Sequence, residues 1–211
     1  MNTVITIGRQ SGSGGRIIGK AVAEKYGIPY YDKELLEIAA KESGYCKEIF
    51  ENHDEKPTNS FLYSLVMDSS FGLAGTAMNE MPLNHKIFLA QFDTIRKIAA
   101  QGPCVMVGRC ADYALENTEN HLSVFIHAKT EDRISRLMEE YSLSENKAEE
   151  MIIKTEKARS SYYNYYTNKT WGAAESYSFC LDSSVFGIDG CVDMIVHAVE
   201  TKENRGHAGK D

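Results

Sequence analysis

The chain has 211 residues, 43% of them hydrophobic and 25% charged, which indicates one globular domain with a buried core. Thirty acidic against 23 basic residues give a formal net charge of −7. This charge disfavours a general nucleic-acid-binding protein, because such proteins present a basic surface. No apolar run approaches the roughly 18 residues of a membrane span, and no charged leader precedes residues 3–7. We therefore expect a cytoplasmic protein without a signal peptide or a membrane contact.

The cysteine and histidine patterns disfavour structural metal sites and disulfides. The five cysteines are odd in number and form no CxxC pair, which fits a reducing compartment and small buried side chains. The six histidines show no HExxH or comparable spacing, so we predict no metal ion held by protein ligands.

Short apolar segments alternate with amphipathic ones along the chain. The predicted strands are 3–7, 28–31, 104–108, 122–128 and 177–181. The predicted helices are 16–26, 33–43, 84–101, 130–141, 144–166 and 189–202. This alternation predicts an α/β fold with a parallel sheet of about five strands between helical layers. We expect one domain over residues 1–203 and a flexible tail over 204–211.

A glycine-rich loop, Gly8–Arg16, separates the first predicted strand from the first helix. Phosphate binding needs several backbone N–H groups directed at one anion, and glycines permit the tight turns that this requires. The helix that follows adds its own N–H groups and the positive end of its dipole. We predict a phosphate-binding site formed by Ser11, Gly12, Ser13, Gly14, Gly15, Arg16 and Ile17.

The loop resembles the P-loop pattern GxxxxGK[ST] but departs from it. Aligning SGSG with the form that this loop takes in nucleotide kinases places Gly15 at the lysine position and Ile17 at the Ser/Thr position. A loop one residue longer places Arg16 at the lysine position. Ile17 cannot ligate Mg²⁺ in either alignment, so Ser13, Ser11 or water would take that role. A dinucleotide-binding loop is less favoured, because GxGxxG lacks its third glycine here. A glycine-rich turn without a ligand is the other alternative.

Four segments resemble the cytidylate kinase-like proteins, a branch of the P-loop nucleoside monophosphate kinases. The first is ITIGRQSGSGGRIIGKAVAEKYGIPYYDKELL at 5–36, and the second is CVMVGRCADYAL at 104–115. The third is VFIHAKTEDRISRLMEE at 124–140. The fourth is KARSSYYNYYTNKTWG at 157–172, followed by YSFCLDSS at 177–184. The resemblance is weak over 44–82, where we place an acceptor-binding segment, and it implies a helical lid at about 129–172.

The resemblance implies phosphoryl transfer from ATP, with Mg²⁺, to a small nucleotide acceptor such as CMP or dCMP. Gly12 to Gly15 would then surround the β-phosphate, and Arg16 would supply the cation that lysine usually provides. By the same resemblance, Arg133, Arg136 and Arg159 would close over the transferred group. Asp32 and Arg109 would lie on the acceptor side, and Phe186 would pack near the adenine. A magnesium ion would be carried by ATP, with Ser13 as a candidate ligand.

Each of these residues also has a structural interpretation. Arg133 and Arg136 could form ion pairs along a helix, and Asp32 could be only a helix N-cap. Arg109 could be the partner of a buried carboxylate, and Phe186 could belong to the core. The aromatic residues Tyr162, Tyr163, Tyr165, Tyr166 and Trp171 could stack a base, but more often such a cluster packs a helix.

Three other functions remain open from the sequence. A nucleotide-binding protein without turnover would keep the glycine loop and lose the lysine, as this chain does. A kinase for a non-nucleotide acceptor would share the same loop. An oligomeric interaction module, or a homodimeric enzyme, could use the apolar stretches FLYSLVM and FGLAGTAM within residues 61–78.

Overall fold

The computed structural model describes residues 1–44, residue 48 and residues 82–208. The predicted acceptor-binding segment at 44–82 therefore lies almost wholly outside the described residues. The apolar stretches within 61–78, on which the homodimer prediction rests, lie outside them completely, as does Cys46. Among the described helices, none is both long enough and apolar enough to cross a bilayer.

Strands and helices alternate along the described chain as the sequence predicts. The strands are β1 (Val4–Arg9), β2 (Tyr30–Tyr31), β3 (Val105–Val107), β4 (His121–His127) and β5 (Phe179–Asp182). The helices are α1 (Gly15–Tyr26), α2 (Glu34–Ser43), α3 (Leu83–Gln101), α4 (Ala111–Ala114), α5 (Thr130–Tyr141), α6 (Glu145–Thr167) and α7 (Ser183–Ala208). A short 3₁₀ turn, Ala174–Ser176, precedes β5.

The five described strands form one parallel sheet in the order β2-β3-β1-β4-β5. The central strand β1 pairs with β3 through Ile5 and Val105, and with β4 through Ile7 and Val124. Because parallel strands align their carboxyl ends, the residues that follow β1, β2 and β3 all lie at one edge of the sheet. The glycine loop and Asp32 lie at this edge. The parallel sheet and the alternation of strands with helices confirm the predicted α/β class.

Side chains of successive β residues point to opposite faces, so two cores form. On one face, Ile5 and Ile7 pack with α1 and α7, and on the other, Val4 packs with α2, α3 and α4. The three-layer arrangement follows directly from this alternation. Fully apolar strands such as β3 are expected where both faces of a parallel sheet are covered.

Helices α5 and α6 form a hairpin over the residues predicted as a lid. Its two helices bury Ile134 and Leu137 of α5 against Ala148 and Ile152 of α6. The hairpin therefore has a small apolar core of its own, separate from the two sheet cores.

The carboxyl-terminal region differs from the sequence-based prediction. Helix α7 begins at Ser183, directly after β5, and continues to Ala208, whereas we expected a helix over 189–202. Gly187, with φ 67° and ψ −179°, interrupts it. The predicted loop DSSVFG is therefore mostly helical, and part of the predicted tail extends the last helix.

We expect Ile5→Ala to lower the free energy of unfolding by about 2–5 kcal/mol, because Ile5 is fully buried at the centre of the sheet. Urea denaturation would measure this change. Ile153→Ala is the matched control, since Ile153 is 69% exposed and should shift the unfolding free energy by less than about 0.5 kcal/mol. Equal effects of the two substitutions would contradict this core assignment.

Candidate functional site

The glycine loop runs from the end of β1 at Arg9 to the start of α1 at Gly15. Gly12 and Gly14 adopt left-handed conformations, with φ 77° and 81°. A Cβ atom at Gly12 would lie 2.6 Å from the carbonyl oxygen of Arg133. Glycine is therefore required at Gly12 both for its φ and because α5 passes directly over it.

The loop is braced by hydrogen bonds to its own backbone and to its neighbours. Ser13 is fully buried, and its hydroxyl donates to the Gln10 carbonyl at 2.9 Å. Ser183 donates to the Ser13 carbonyl at 2.7 Å. The Gln10 side chain accepts the N–H of Ala128 at 3.1 Å. The role of Ser13 as a magnesium ligand stays a prediction, and in this arrangement its hydroxyl is used within the loop.

A cavity of about 210 Å³ opens between the loop and the α5–α6 hairpin. The loop side includes six of the seven predicted phosphate-binding residues, all except Ser13. The hairpin side consists of Arg136, Leu137, Glu140, Tyr141, Met151, Thr155 and Arg159. Two of the three predicted hairpin arginines therefore line the same cavity as the predicted loop.

The hairpin arginines contact loop carbonyl groups. Arg133 donates through Nε to the Ser11 carbonyl at 2.8 Å and pairs through Nη2 with Glu156 of α6. Arg136 donates to the Gly12 carbonyl. Arg133 is buried, and it holds the loop to both hairpin helices. The interpretation of Arg133 as an ion pair along its own helix is therefore wrong, because its side chain is buried and its partner Glu156 lies on α6.

Arg159 of α6 lies between the hairpin and the strand edge. Its Nη1 donates to the Arg9 carbonyl at 3.4 Å. It lines the 210 Å³ cavity and also a smaller one beside Gly108 and Arg109. Arg159 thus lies between the two cavities.

Asp32 is the charged centre of the strand edge. Its Oδ1 accepts from Arg109 Nη1 at 3.0 Å, and its Oδ2 is 2.7 Å from Arg16 Nε. Burial by itself raises the pKa of the Asp32 carboxyl. The positive charges of Arg109, Arg9 and Arg16 outweigh burial and bring that pKa below its ordinary value. Asp32 is therefore a carboxylate held between cations.

The N-cap interpretation of Asp32 is wrong. The residue before α2 is Lys33, and the helix has no side-chain cap. The Asp32 carboxylate is turned toward the two guanidinium groups, which bind it more strongly than helix N–H groups would. By contrast, the interpretation of Arg109 as the partner of a buried carboxylate is confirmed.

Arg109 is positioned by an unusual turn after β3. Gly108, Arg109 and Cys110 have φ values of 77°, 54° and 56°, so three consecutive residues are left-handed. For residues with side chains this conformation costs free energy and persists only where the surroundings fix it. The turn places Arg109, 4% exposed, against Asp32.

A buried polar group lies beside the second cavity. Tyr163 donates to Asp112 Oδ2 at 2.7 Å, and burial raises the pKa of Asp112 to about 6, although this hydrogen bond acts in the opposite direction. The rings of Tyr163 and Tyr177 are stacked. The aromatic residues of α6 pack against Phe88 and Phe125, which confirms their packing interpretation.

Two further predictions concern the adenine side and metals. Phe186 is 45% exposed, so it does not belong to the core, because the helix start that carries it lies on the surface. In the described part of the chain, no group of three or more His, Cys, Asp or Glu side chains could hold a metal ion. The described cysteines, Cys104, Cys110, Cys180 and Cys191, are free, and three of them are buried as expected.

Two residues of the site, Arg9 and Asp112, were not predicted from the sequence. Arg9 was visible as a charged residue at the end of a strand that runs into the loop, which is a position for a ligand contact. No pattern in the sequence points to Asp112, because its burial depends on the packing of α6 against α4.

The comparisons with known proteins identify the family. The model of the cytidylate kinase-like family matches residues 4–185. The chain belongs to the cytidylate kinase-like family. A cytidylate kinase from Methanococcus aeolicus is 23% identical over 202 residues, which cover 94% of this chain and 98% of that protein.

Solved structures support the same fold. An uncharacterized protein from Eubacterium ventriosum is 30% identical, with a TM-score of 0.69 and coverage of 94% of this chain and 98% of that one. A gluconokinase from Sinorhizobium meliloti has a TM-score of 0.55 at 13% identity, with coverage of 100% and 98%. A shikimate kinase from Bacteroides thetaiotaomicron has a TM-score of 0.53 at 13% identity, with coverage of 95% and 99%. The last two show that the fold is that of P-loop kinases.

We expect Asp112 to make stability depend on pH. Its folded-state pKa of about 6 exceeds the unfolded value of roughly 3.9, so protonation favours the folded state. The stabilising contribution is complete below about pH 4 and is lost as the pH rises through about 6. Between pH 4 and 7, wild-type protein should lose on the order of 3 kcal/mol of unfolding free energy relative to Asp112→Asn.

Chemical denaturation across this pH range measures the difference. Asp189→Asn is the matched control, since Asp189 is exposed on α7 and should leave the wild-type pH profile unchanged. Parallel profiles for wild type and Asp112→Asn would disprove the assignment.

Proposed function

We propose that this protein transfers the γ-phosphoryl group of ATP to a nucleoside monophosphate-like acceptor, with CMP and dCMP as the first candidates. One observation carries the proposal: the glycine loop and the start of α1 open into a cavity that also receives Arg9, Arg16, Arg136 and Arg159. Backbone N–H groups and several guanidinium groups around one space suit a polyphosphate. Family and fold membership support phosphoryl transfer.

The loop residues fit ATP in steric terms. Gly12 and Gly14 hold the left-handed turns that open a P-loop toward an anion, and no side chain at these positions fills the space. Arg136 donates to the Gly12 carbonyl and so offsets the partial negative charge of its oxygen, which would otherwise repel a phosphate oxygen. ATP bound there would supply the transferable phosphoryl group.

A magnesium ion would be held mainly by the phosphates of ATP and by water. Two described carboxylates are candidates for contact with this ion: Glu140 lines the cavity, and Asp32 is paired with two arginines. Mg²⁺ keeps several water ligands in most phosphate sites, so one carboxylate or none from this chain would suffice. The ion would neutralise charge on the transferred group.

The acceptor would bind at the edge formed by the ends of β2 and β3. Arg109 and Arg159 face the smaller cavity there, and both can contact an anionic acceptor. Asp32 keeps Arg109 in place. The cytidine base is suggested by the name of the Methanococcus relative alone, whereas the arginines suggest an acceptor that already carries a phosphate.

The α5–α6 hairpin would exclude water from the reaction. Arg133 and Arg136 join it to the loop, and Arg159 brings a third arginine from α6. Excluding water strengthens the charge interactions within the site and prevents loss of the phosphoryl group to hydrolysis.

A nucleotide-binding protein without turnover is the second candidate. Helix α1 begins at Gly15, and no lysine is among the described residues that line the cavity. A site without the usual cation would bind ATP more weakly and transfer its phosphoryl group slowly or not at all.

We expect ATP consumption with Mg²⁺ in the presence of one nucleoside monophosphate, and CMP or dCMP should be the best of a panel that also holds AMP, GMP and UMP. Calorimetry of ATP on the same protein separates the candidates. Binding without turnover on any acceptor, shikimate and gluconate included, would favour the non-catalytic candidate. No ATP binding would disprove the nucleotide site.

We expect Arg16→Ala to weaken ATP binding or turnover by at least about tenfold with the fold intact. Arg16 lines the cavity, and its side chain is 39% exposed, so its loss leaves no large void. The matched control is Lys20→Ala, one turn further along α1, where the side chain is 69% exposed and pairs with Glu24. Unchanged ATP affinity and rate in Arg16→Ala would remove Arg16 from the site.

A further inference from the structure

Position 15 has no room for a side chain. A Cβ atom on Gly15 would lie 2.6 Å from Cβ and 3.2 Å from Cγ of Arg9. Atoms so close to the backbone cannot move aside as the end of a flexible side chain can. As long as Arg9 is present, a lysine at Gly15 is excluded, although α1 begins there with the backbone of a phosphate-binding turn.

The spacing of the two residues matches the two ends of a P-loop. In GxxxxGK, the lysine stands six positions after the first glycine. Here the first position is Arg9 and the sixth after it is Gly15, with Gly14 between them in the left-handed turn. Relative to that pattern, the cation and the small residue have exchanged places.

The side chain of Arg9 lies across Gly15 and extends into the site. Arg9 is 6% exposed, and it lines both the loop cavity and the smaller cavity beside Arg109. Its charge contributes to the low pKa of Asp32, so its guanidinium lies within electrostatic range of that carboxylate. Strand β1, the central strand of the sheet, fixes its backbone.

We infer that Arg9 supplies the phosphate-binding cation of this site, in the place that a P-loop lysine would occupy from position 15. The inference rests on the proposed binding of ATP. A guanidinium presents two parallel N–H donors, so it can contact two oxygens of a polyphosphate, where an ammonium acts as a point charge. The positive charge that a lysine would supply from position 15 then comes from position 9, and the phosphate contact is kept.

Arg16 does not take this place in the structure. Its Nε is 2.7 Å from Asp32, and its side chain lies at the open rim of the cavity. Arg9 approaches from the floor, at the end of β1. The two arginines therefore act from different sides, and substitutions distinguish them.

The test exchanges the two residues. We expect Arg9→Met to lower ATP affinity at least about tenfold and kcat/KM about 100-fold. Gly15→Lys alone should also lose ATP binding, because its Cβ collides with Arg9. The double variant Arg9→Gly/Gly15→Lys restores a lysine and removes the collision, so its ATP affinity should return to within about tenfold of wild type.

Calorimetry with ATP, AMP and adenosine reads out the phosphate contact separately from turnover. Adenosine affinity should be unchanged in all variants. ATP affinity should fall where the positive charge is removed or displaced and return where the double variant restores it. The matched control is Arg205→Gln on α7, an exposed arginine that lines neither cavity and should leave ATP affinity at the wild-type value.

Two results would overturn the inference: wild-type ATP affinity in Arg9→Met, or a double variant that binds ATP no better than Gly15→Lys. If wild-type protein itself does not bind ATP, the proposed function fails as well, so the two failures are distinguishable. If an Arg9 variant does not fold, an NMR measurement on wild-type protein tests the inference instead. The Arg9 Nε–H NMR signal should shift on saturation with ATP and not with adenosine, and an unmoved signal would overturn the inference.

Discussion

The Asp32 carboxylate is the interaction on which the site depends. It lies after β2, accepts from Arg109 after β3 and pairs with Arg16 on α1, so it joins three segments that are distant in sequence. Burial alone would raise the pKa of this carboxyl, and the surrounding cations bring that pKa below its ordinary value. The buried Arg109 is in turn stabilised by the negative charge. Removing Asp32 would leave excess positive charge at the strand edge. The arginines are thus held ready for an anion, with a carboxylate as their partner.

The glycine loop and the hairpin form one unit in this structure. Arg133 and Arg136 donate to the carbonyl groups of Ser11 and Gly12, and Gly12 has no space for a side chain because α5 lies against it. Carbonyl oxygens near a phosphate would repel it, and these arginines neutralise them. Opening of the hairpin would therefore expose the loop carbonyls to water and change the charge around any bound phosphate. Arg133 and Arg136 therefore tie the position of the hairpin to the charge around the loop.

Much of the fold was predictable because its signals are local. One element each is predicted by the apolar runs of β3 and β4, by the periodic helices and by the glycines between β1 and α1. The alternation of strands with helices along the chain predicts the parallel sheet. The site was predictable only in part. The loop and Arg109 were located correctly, but the pairing of Asp32 with Arg109 and Arg16 was not predicted, because these partners lie after another strand and on another helix. The burial of Asp112 depends on the packing of α6 and left no pattern in the sequence.

The proposal of an anionic acceptor rests on the charge of the site and not on the fold. Gluconokinase and shikimate kinase share this fold at 13% identity, so the sheet and the loop do not decide what is phosphorylated. The two cavities and the adjoining strand edge, in the described residues, bring together Arg9, Arg16, Arg109, Arg136 and Arg159. The carboxyl groups there are Asp32, Glu140 and Asp112, and burial raises the pKa of Asp112 to about 6. A positive excess in a protein with a net charge of −7 suits two anionic ligands better than one. A monophosphate acceptor would place an anion beside Arg109 and Arg159 in the smaller cavity, which a neutral acceptor would not do.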